Sequence, residues 1–181
     1  MRRLLAPLGA AGLALALVIP GAAQAPSPKK PDVIYVPTPQ PVVDAMLELA
    51  RVKKSDVVYD LGSGDGRIVI LAAQKYGAAG VGIEIDHRLV EISRQVATEG
   101  QVADRVAFIE GDLFTEDISA ATVVTMWLSN SVNMRLEAKL KRELRPGARI
   151  VSHQFPIGEW APDKTIRAEN ADLFLWTIPP R

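Results

Sequence analysis

The chain has 181 residues, and removing the 25-residue leader described below leaves 156, the size of one ordinary domain with a single core. At 48% hydrophobic and 23% charged it is neither a disordered chain nor a coiled coil, and with no cysteine and only His87 and His153 it lacks thiol nucleophiles, disulfides, thiolate metal sites and a histidine-rich metal centre. Lys plus Arg (21) balance Asp plus Glu (21), and loss of Arg2 and Arg3 leaves 19 against 21, so the body lacks the basic surplus through which nucleic-acid binders neutralise phosphate.

Met1 to Ala25 opens on Arg2-Arg3, continues through the 16-residue apolar run Leu4 to Ile19, breaks at Pro20-Gly21 and ends in Ala23-Gln24-Ala25. This is the three-part order of a secretory signal peptide, and the run is shorter than the roughly 20 residues of a comfortable membrane span. The expectation is an exported, periplasmic protein of a bacterial envelope. The alternative is an uncleaved segment that anchors the domain to the inner membrane. Residues 26–37 read as a linker, and 38–181 as the folded domain. Thr38 is placed to cap a helix with Pro39 in its first turn, and Val42, Met46 and Leu49 follow at helical spacing.

From Asp56 onward, apolar β-branched runs alternate with helical patterns. Strands are predicted at Val57 to Leu61, Gly80 to Ile85, Val106 to Glu110, Ala121 to Trp127 and Arg149 to His153. Helices are predicted at Arg67 to Tyr76, His87 to Glu99 and Val132 to Leu144, with Gly77, Gly100 and Pro146-Gly147 as stop signals. Such alternation implies a mostly parallel, doubly wound α/β sheet. Lys164 to Glu169 and Asp172 to Ile178, joined through Asn170-Ala171, read as a C-terminal antiparallel hairpin, which brings the strand count to seven.

The first strand runs into Asp60-Leu61-Gly62-Ser63-Gly64-Asp65-Gly66-Arg67 and then into a helix. Three glycines at alternate positions let the backbone turn sharply and bare the N–H groups of the helix start, so an adenosine-containing ligand is expected at this strand's C-terminal edge. A dinucleotide fingerprint would place its third glycine one position later. The spacing, with its opening Asp60, resembles motif I of the class I S-adenosylmethionine-dependent methyltransferases.

The resemblance extends over residues 35 to 178. Glu84, closing Gly80-Val81-Gly82-Ile83-Glu84, is similar to the family's ribose-binding acid, with Ile85 against the adenine. Asp112, followed by Leu113 after the third strand, resembles the acid that accepts the adenine amino hydrogen. The bland reading of either acid is a loop or cap carboxylate; Asp86 reads as a cap for the next helix. Tyr35-Val36-Pro37-Thr38-Pro39, the glycine loop and Leu144-Arg145-Pro146-Gly147-Ala148-Arg149-Ile150-Val151-Ser152-His153 together look like the seven-strand lysine methyltransferases related to the ATP-synthase c-subunit methyltransferases. That resemblance implies a Rossmann-like fold, S-adenosyl-L-methionine as cofactor, a protein lysine as acceptor, and a lid containing Tyr35 and Thr38. It implies cofactor contacts from Asp60, Gly62, Ser63, Gly64 and Gly66.

In that group the acceptor sits beyond the fourth and fifth strands, which here places Trp127, Ser129, Asn130, Asn133 and His153 beside it. Trp127 would wall an acceptor channel and Ser129 or Asn130 would orient an amine; alternatively Ser129 or Asn130 caps a helix, and Trp127 and His153 are structural. Trp127-Leu128-Ser129-Asn130 departs from the Tyr-Leu-Leu-Pro common in the group, and Gln154-Phe155 from its Asp-Phe. An Asn-Pro-Pro-Tyr-like motif, the usual grip on a nucleobase or glutamine amide, is absent after the fourth strand. Two other readings stay open: an S-adenosylmethionine-binding or structural envelope protein without transfer activity, and a nucleotide-dependent oxidoreductase or sensor.

Overall fold

The structure, a computed structural model, describes residues 34–180. Residues 1–33, where the sequence suggests a leader and most of a linker, lie outside the described residues. Among the described residues no helix is long and apolar enough to cross a membrane.

The elements follow in the order α1 (Gln40–Leu49), β1 (Val57–Leu61), α2 (Arg67–Tyr76), β2 (Ala79–Glu84), α3 (His87–Glu99), β3 (Val106–Glu110), β4 (Val123–Met126), α4 (Asn130–Glu143), β5 (Arg149–His153), β6 (Lys164–Ala168) and β7 (Ala171–Thr177). They build one seven-stranded sheet of order β3-β2-β1-β4-β5-β7-β6, parallel from β3 to β5 and antiparallel where β7 joins β5 and β6. Because the order reverses between β1 and β4, a crevice opens at the C-terminal ends of those two strands. β1 and β4 are apolar along almost their whole length because helices cover both faces. On one face Val42, Met46, Ile68, Val69 and Val90 from α1, α2 and α3 fill a core; on the other, Val132, Leu136 and Leu140 repeat every four residues along α4 and meet Leu61, Met126 and Trp176.

The differences from the expected boundaries have local causes. Thr38 is not the cap of α1. Pro39 takes that place, its ring offering no acceptor; Pro41 has no N–H for the Thr38 hydroxyl to accept, and the Val42 N–H donates to the Pro39 carbonyl at 2.9 Å. β4 stops at Met126, where its pairing with Leu61 and Ser152 ends, so Trp127 leaves the sheet and turns into the crevice. The helix after β4 starts two residues earlier than predicted, at Asn130, with Ser129 as its cap. The hairpin turns at Glu169-Asn170, not Asn170-Ala171: Glu169 takes the left-handed conformation at φ 53° and Ala171 is paired in β7.

Candidate active site

The glycine loop is set by backbone conformation. Gly62, Gly64 and Gly66 have φ of +77°, +55° and +78°, which side-chain-bearing residues rarely adopt. Space enforces the same choice: a Cβ on Gly64 would run into the Tyr35 ring, and one on Gly66 would lie 2.5 Å from Phe108. Gly66 thus packs the loop onto the sheet and starts α2.

Glu84, at the end of β2, is 8% exposed, and its carboxylate is oriented by three backbone donors. Gly64 N–H donates to Oε2 at 2.9 Å, and Ile85 and Asp86 N–H donate to Oε1 at 2.8 and 2.9 Å. The carboxylate faces a cavity of about 610 Å³ together with Gly62, Ile85, Asp86, Asp112 and Leu113. Asp112 keeps both readings at once, since its Oδ1 accepts the Phe114 N–H at 3.0 Å while the residue lines the cavity. So does Asp86, which caps α3 through Arg88 N–H and borders the same space.

Asp60 lies beneath the loop, 3% exposed, in the wall of a second cavity of about 30 Å³ that also includes Ser63, Gly64, Thr38 and Trp127. Burial pushes its carboxyl up to about 7 against the opposing hydrogen bond from Thr125 Oγ1 at 2.8 Å, and the Glu84 and Asp65 charges add to the rise. Ser63 Oγ is buried among these groups without a hydrogen-bond partner.

Tyr35 and Thr38 do cover the loop, through a fixture that sequence reading missed. Arg67, the first residue of α2, grips both Asp65 oxygens, with Nε at 2.9 Å from Oδ1 and Nη2 at 2.6 Å from Oδ2, and its Nη1 donates to the Thr38 carbonyl at 2.9 Å. Burial raises Asp65, but the Arg67 guanidinium outweighs it and holds the carboxyl below its usual range. Burial first, and the Asp65 charge second, raise the Tyr35 phenol. The only signal for this clamp was the Asp-Gly-Arg run inside the loop.

At the far end of the main cavity stand Trp127, Leu128, Ser129, Val132 and Phe155. Ser129 lines the space and also caps α4, accepting the Val132 N–H at 3.4 Å. Asn130, the first residue of α4, is exposed and does not line the cavity. His153 does not reach it either. Only 4% exposed, it stacks behind Trp127 with ring centroids 4.1 Å apart, and burial pushes it down to about 4, so it is neutral with Nδ1 unpartnered. Asn133 is fully buried, its Nδ2 donating to the Phe155 carbonyl at 3.0 Å and to Ser152 Oγ at 3.2 Å. It fastens the 154–157 loop, and with it Phe155, to α4.

An open crevice at a strand-order reversal, a glycine loop and a hydrogen-bonded acid one strand over form a nucleoside site. Comparison with known proteins decides which one. Residues 60–164, more than half the chain, match the ANTKMT methyltransferase domain. The chain belongs to that family. It is 48% identical over 145 residues to a protein-lysine N-methyltransferase of Saccharolobus islandicus, covering 79% of this chain and 89% of that one. It is 37% identical over 153 residues to the ATP-synthase c-subunit lysine N-methyltransferase of Xenopus laevis, covering 84% and 66%. A crystal structure described as an RNA methyltransferase from Salinibacter ruber, with S-adenosyl-L-homocysteine bound, superposes with a TM-score of 0.79 at 58% identity, covering 81% of this chain and 95% of that one.

This member of the family is an S-adenosylmethionine-dependent methyltransferase, which removes the oxidoreductase reading. The cleft fits the cofactor: a fixed carboxylate for two hydroxyls, apolar Ile85 and Leu113 for a base, and a bare glycine loop under Tyr35.

Proposed function

We propose that this methyltransferase modifies the side-chain amine of lysine in a protein. The observation that carries the reading is the acceptor end of the main cavity: Trp127, Leu128, Val132 and Phe155 wall it with apolar surface, and none of the cavity's lining residues is Lys or Arg. Those walls suit the four-carbon stem of a lysine and its uncharged amine, whereas an RNA backbone would find no cation in the lining to neutralise its phosphates. The Saccharolobus and Xenopus relatives support the same choice; the name of the Salinibacter structure supports RNA and makes it the reading to test against.

S-adenosylmethionine supplies an electrophilic sulfonium methyl. Glu84 would hold its ribose hydroxyls, Ile85 and Leu113 would flank its adenine, and Asp112 would take the adenine amino hydrogen. Asp60, Ser63 and Gly64 would meet its amino-acid end beneath Tyr35 and Thr38. The chain's own task is alignment and exclusion of water. Trp127 and Phe155 give the acceptor end apolar walls that favour the uncharged amine, and Ser129 offers it a hydroxyl. A strong base is not required once the amine is neutral, and His153, turned away behind Trp127, is not positioned as one.

The test is transfer of labelled methyl from S-adenosylmethionine into fractionated bacterial extract, followed by acid hydrolysis. Label in methylated lysine, destroyed by protease and resistant to ribonuclease, is the expected result. Label that ribonuclease releases would replace lysine with RNA, and no transfer at all would favour a binding protein without activity.

We also propose, from Met1 to Ala25 alone, that the domain works outside the bacterial cytoplasm or tethered to the outer side of the inner membrane. A reporter that functions only in oxidising compartments should be active when fused after Arg181. Recovery of the full-length, leader-bearing fusion as a soluble cytoplasmic protein would contradict this.

A further inference from the structure

At the end of β5 the chain makes a turn that few residues tolerate. The Phe155 N–H donates to the His153 carbonyl at 2.8 Å, closing a three-residue γ-turn whose central residue, Gln154, has a φ of 69°. With φ positive this is the rare and strained form of that turn, and a residue bearing a Cβ seldom adopts it. Gln154 is exposed and lines neither cavity, and among the described residues its side chain has no hydrogen-bond partner. No polar contact of that side chain offsets the strain.

The main chain around it is fixed from three elements. The Gln154 N–H donates to the Asp172 carbonyl of β7 at 2.7 Å. Ser152 Oγ of β5, fully buried, donates to the Phe155 carbonyl at 2.6 Å. Asn133 Nδ2 of α4 donates to that same oxygen at 3.0 Å and to the Pro156 carbonyl at 3.3 Å. Strain over-determined in this way persists at functional sites, where it fixes a geometry that the chain would otherwise leave. Here the geometry is that of Phe155, which lines the acceptor end of the cavity with Trp127, Ser129 and Val132. At an ordinary extended φ the chain would run on in the direction of β5 and carry Phe155 out of that lining.

We propose that Gln154 is a positioning residue for the methyl acceptor, acting through its main chain: the positive-φ turn holds Phe155 as a wall against which the amine is aligned. The proposal rests on the lysine reading above, which puts the acceptor beside Phe155. Glu84 and the glycine loop are held by other bonds, so the effect on the reaction falls on the acceptor and not on the cofactor.

Two variants separate the turn from the side chain. Gln154→Gly and Gln154→Val both delete the amide, but glycine accepts a positive φ and a β-branched residue does not. Each full-length chain is titrated calorimetrically with S-adenosylhomocysteine, unfolded in urea, and assayed for methyl transfer from S-adenosylmethionine into sub-saturating protein fraction of a bacterial extract, a rate that reads kcat/KM. Gln154→Gly should keep the wild-type rate and show a higher urea midpoint, because glycine relieves the strain without moving the turn. Gln154→Val should lose roughly 10- to 100-fold in that rate, the scale expected when a reacting group is misplaced by about 1 Å. Its S-adenosylhomocysteine dissociation constant should stay within about threefold of wild type, a change under about 0.7 kcal/mol.

Equal losses of rate in the two variants would put the role in the amide and overturn the proposal. A valine variant that transfers like wild type, or a glycine variant with a lower urea midpoint, overturns it too. If the valine chain does not fold, the glycine variant decides alone, by its rate and its midpoint. No label in protein from the wild-type chain overturns the lysine reading and the proposal with it, whereas wild-type transfer into lysine that Gln154→Val leaves unchanged overturns the proposal only.

Discussion

The two ends of the crevice are built by different means. At the donor end, the main chain determines the geometry: three left-handed glycines shape the loop, and backbone N–H groups at 64, 85 and 86 aim the Glu84 carboxylate. At the acceptor end, side chains from distant elements meet. Trp127 after β4 stacks on His153 of β5, and Asn133 of α4 holds the loop that carries Phe155. The first construction tolerates little change, because it uses the main chain itself. The second can be rebuilt by substitution without disturbing the loop, and that is where Trp127-Leu128-Ser129-Asn130 and Gln154-Phe155 depart from the expected pattern.

The largest effect should come from Gly64→Val, which combines an unfavourable φ of +55° with collision against Tyr35. Calorimetry should find no S-adenosylhomocysteine binding in a protein that circular dichroism shows folded; wild-type affinity would break the donor-end account. Next, Glu84→Ala removes charged hydrogen bonds worth about 1.5–3 kcal/mol, so affinity should fall by roughly 10- to 150-fold. An unchanged dissociation constant would dismiss Glu84 as the ribose acid.

At the acceptor end, Asn133→Ala removes one of two donors to the Phe155 carbonyl, which keeps the Ser152 hydroxyl at 2.6 Å, and should cost about 0.5–1.5 kcal/mol of stability in a urea titration. Turnover should fall while S-adenosylhomocysteine affinity holds. Loss of cofactor affinity there would show the two ends to be one unit.

The remaining effects are opposite pH responses. Asp60, raised from 3.8 to about 7, contributes stability that is full below about 4 and lost as pH rises through about 7, because the folded state holds the extra proton. His153, lowered from 6.5 to about 4, contributes stability that is present above 6.5 and lost as pH falls through about 4, because the unfolded state takes the proton first. Between about 4 and 6.5, Asp60→Asn should therefore make stability rise more steeply with pH, and His153→Phe should make it rise less. Chemical denaturation across that window reads both slopes; slopes that move together would contradict one of the assignments.

The same contrast explains what could be read from sequence. The loop Asp60 to Arg67 was legible because a sharp turn after a strand needs glycines at close spacing; Glu84 and Asp112 were marked only by the family resemblance, and both line the main cavity. Every strand and helix from 57 to 153 was legible to within three residues because apolar periodicity sets them. The Arg67 clamp on the Thr38 carbonyl was not, since it joins residues 29 apart through a main-chain atom that no side-chain pattern marks. Nor was the retreat of His153 behind Trp127, because a histidine at a strand end carries no sign of which neighbour will cover it.

The central claim is that donor and acceptor are held by separate constructions in one crevice. The direct measurement is calorimetric titration of S-adenosylhomocysteine into Phe155→Ala, whose lost ring lines only the main cavity at its acceptor end. The account predicts a dissociation constant within about threefold of wild type, a change under about 0.7 kcal/mol, alongside reduced methyl transfer. A loss of affinity as large as that of Glu84→Ala would contradict it.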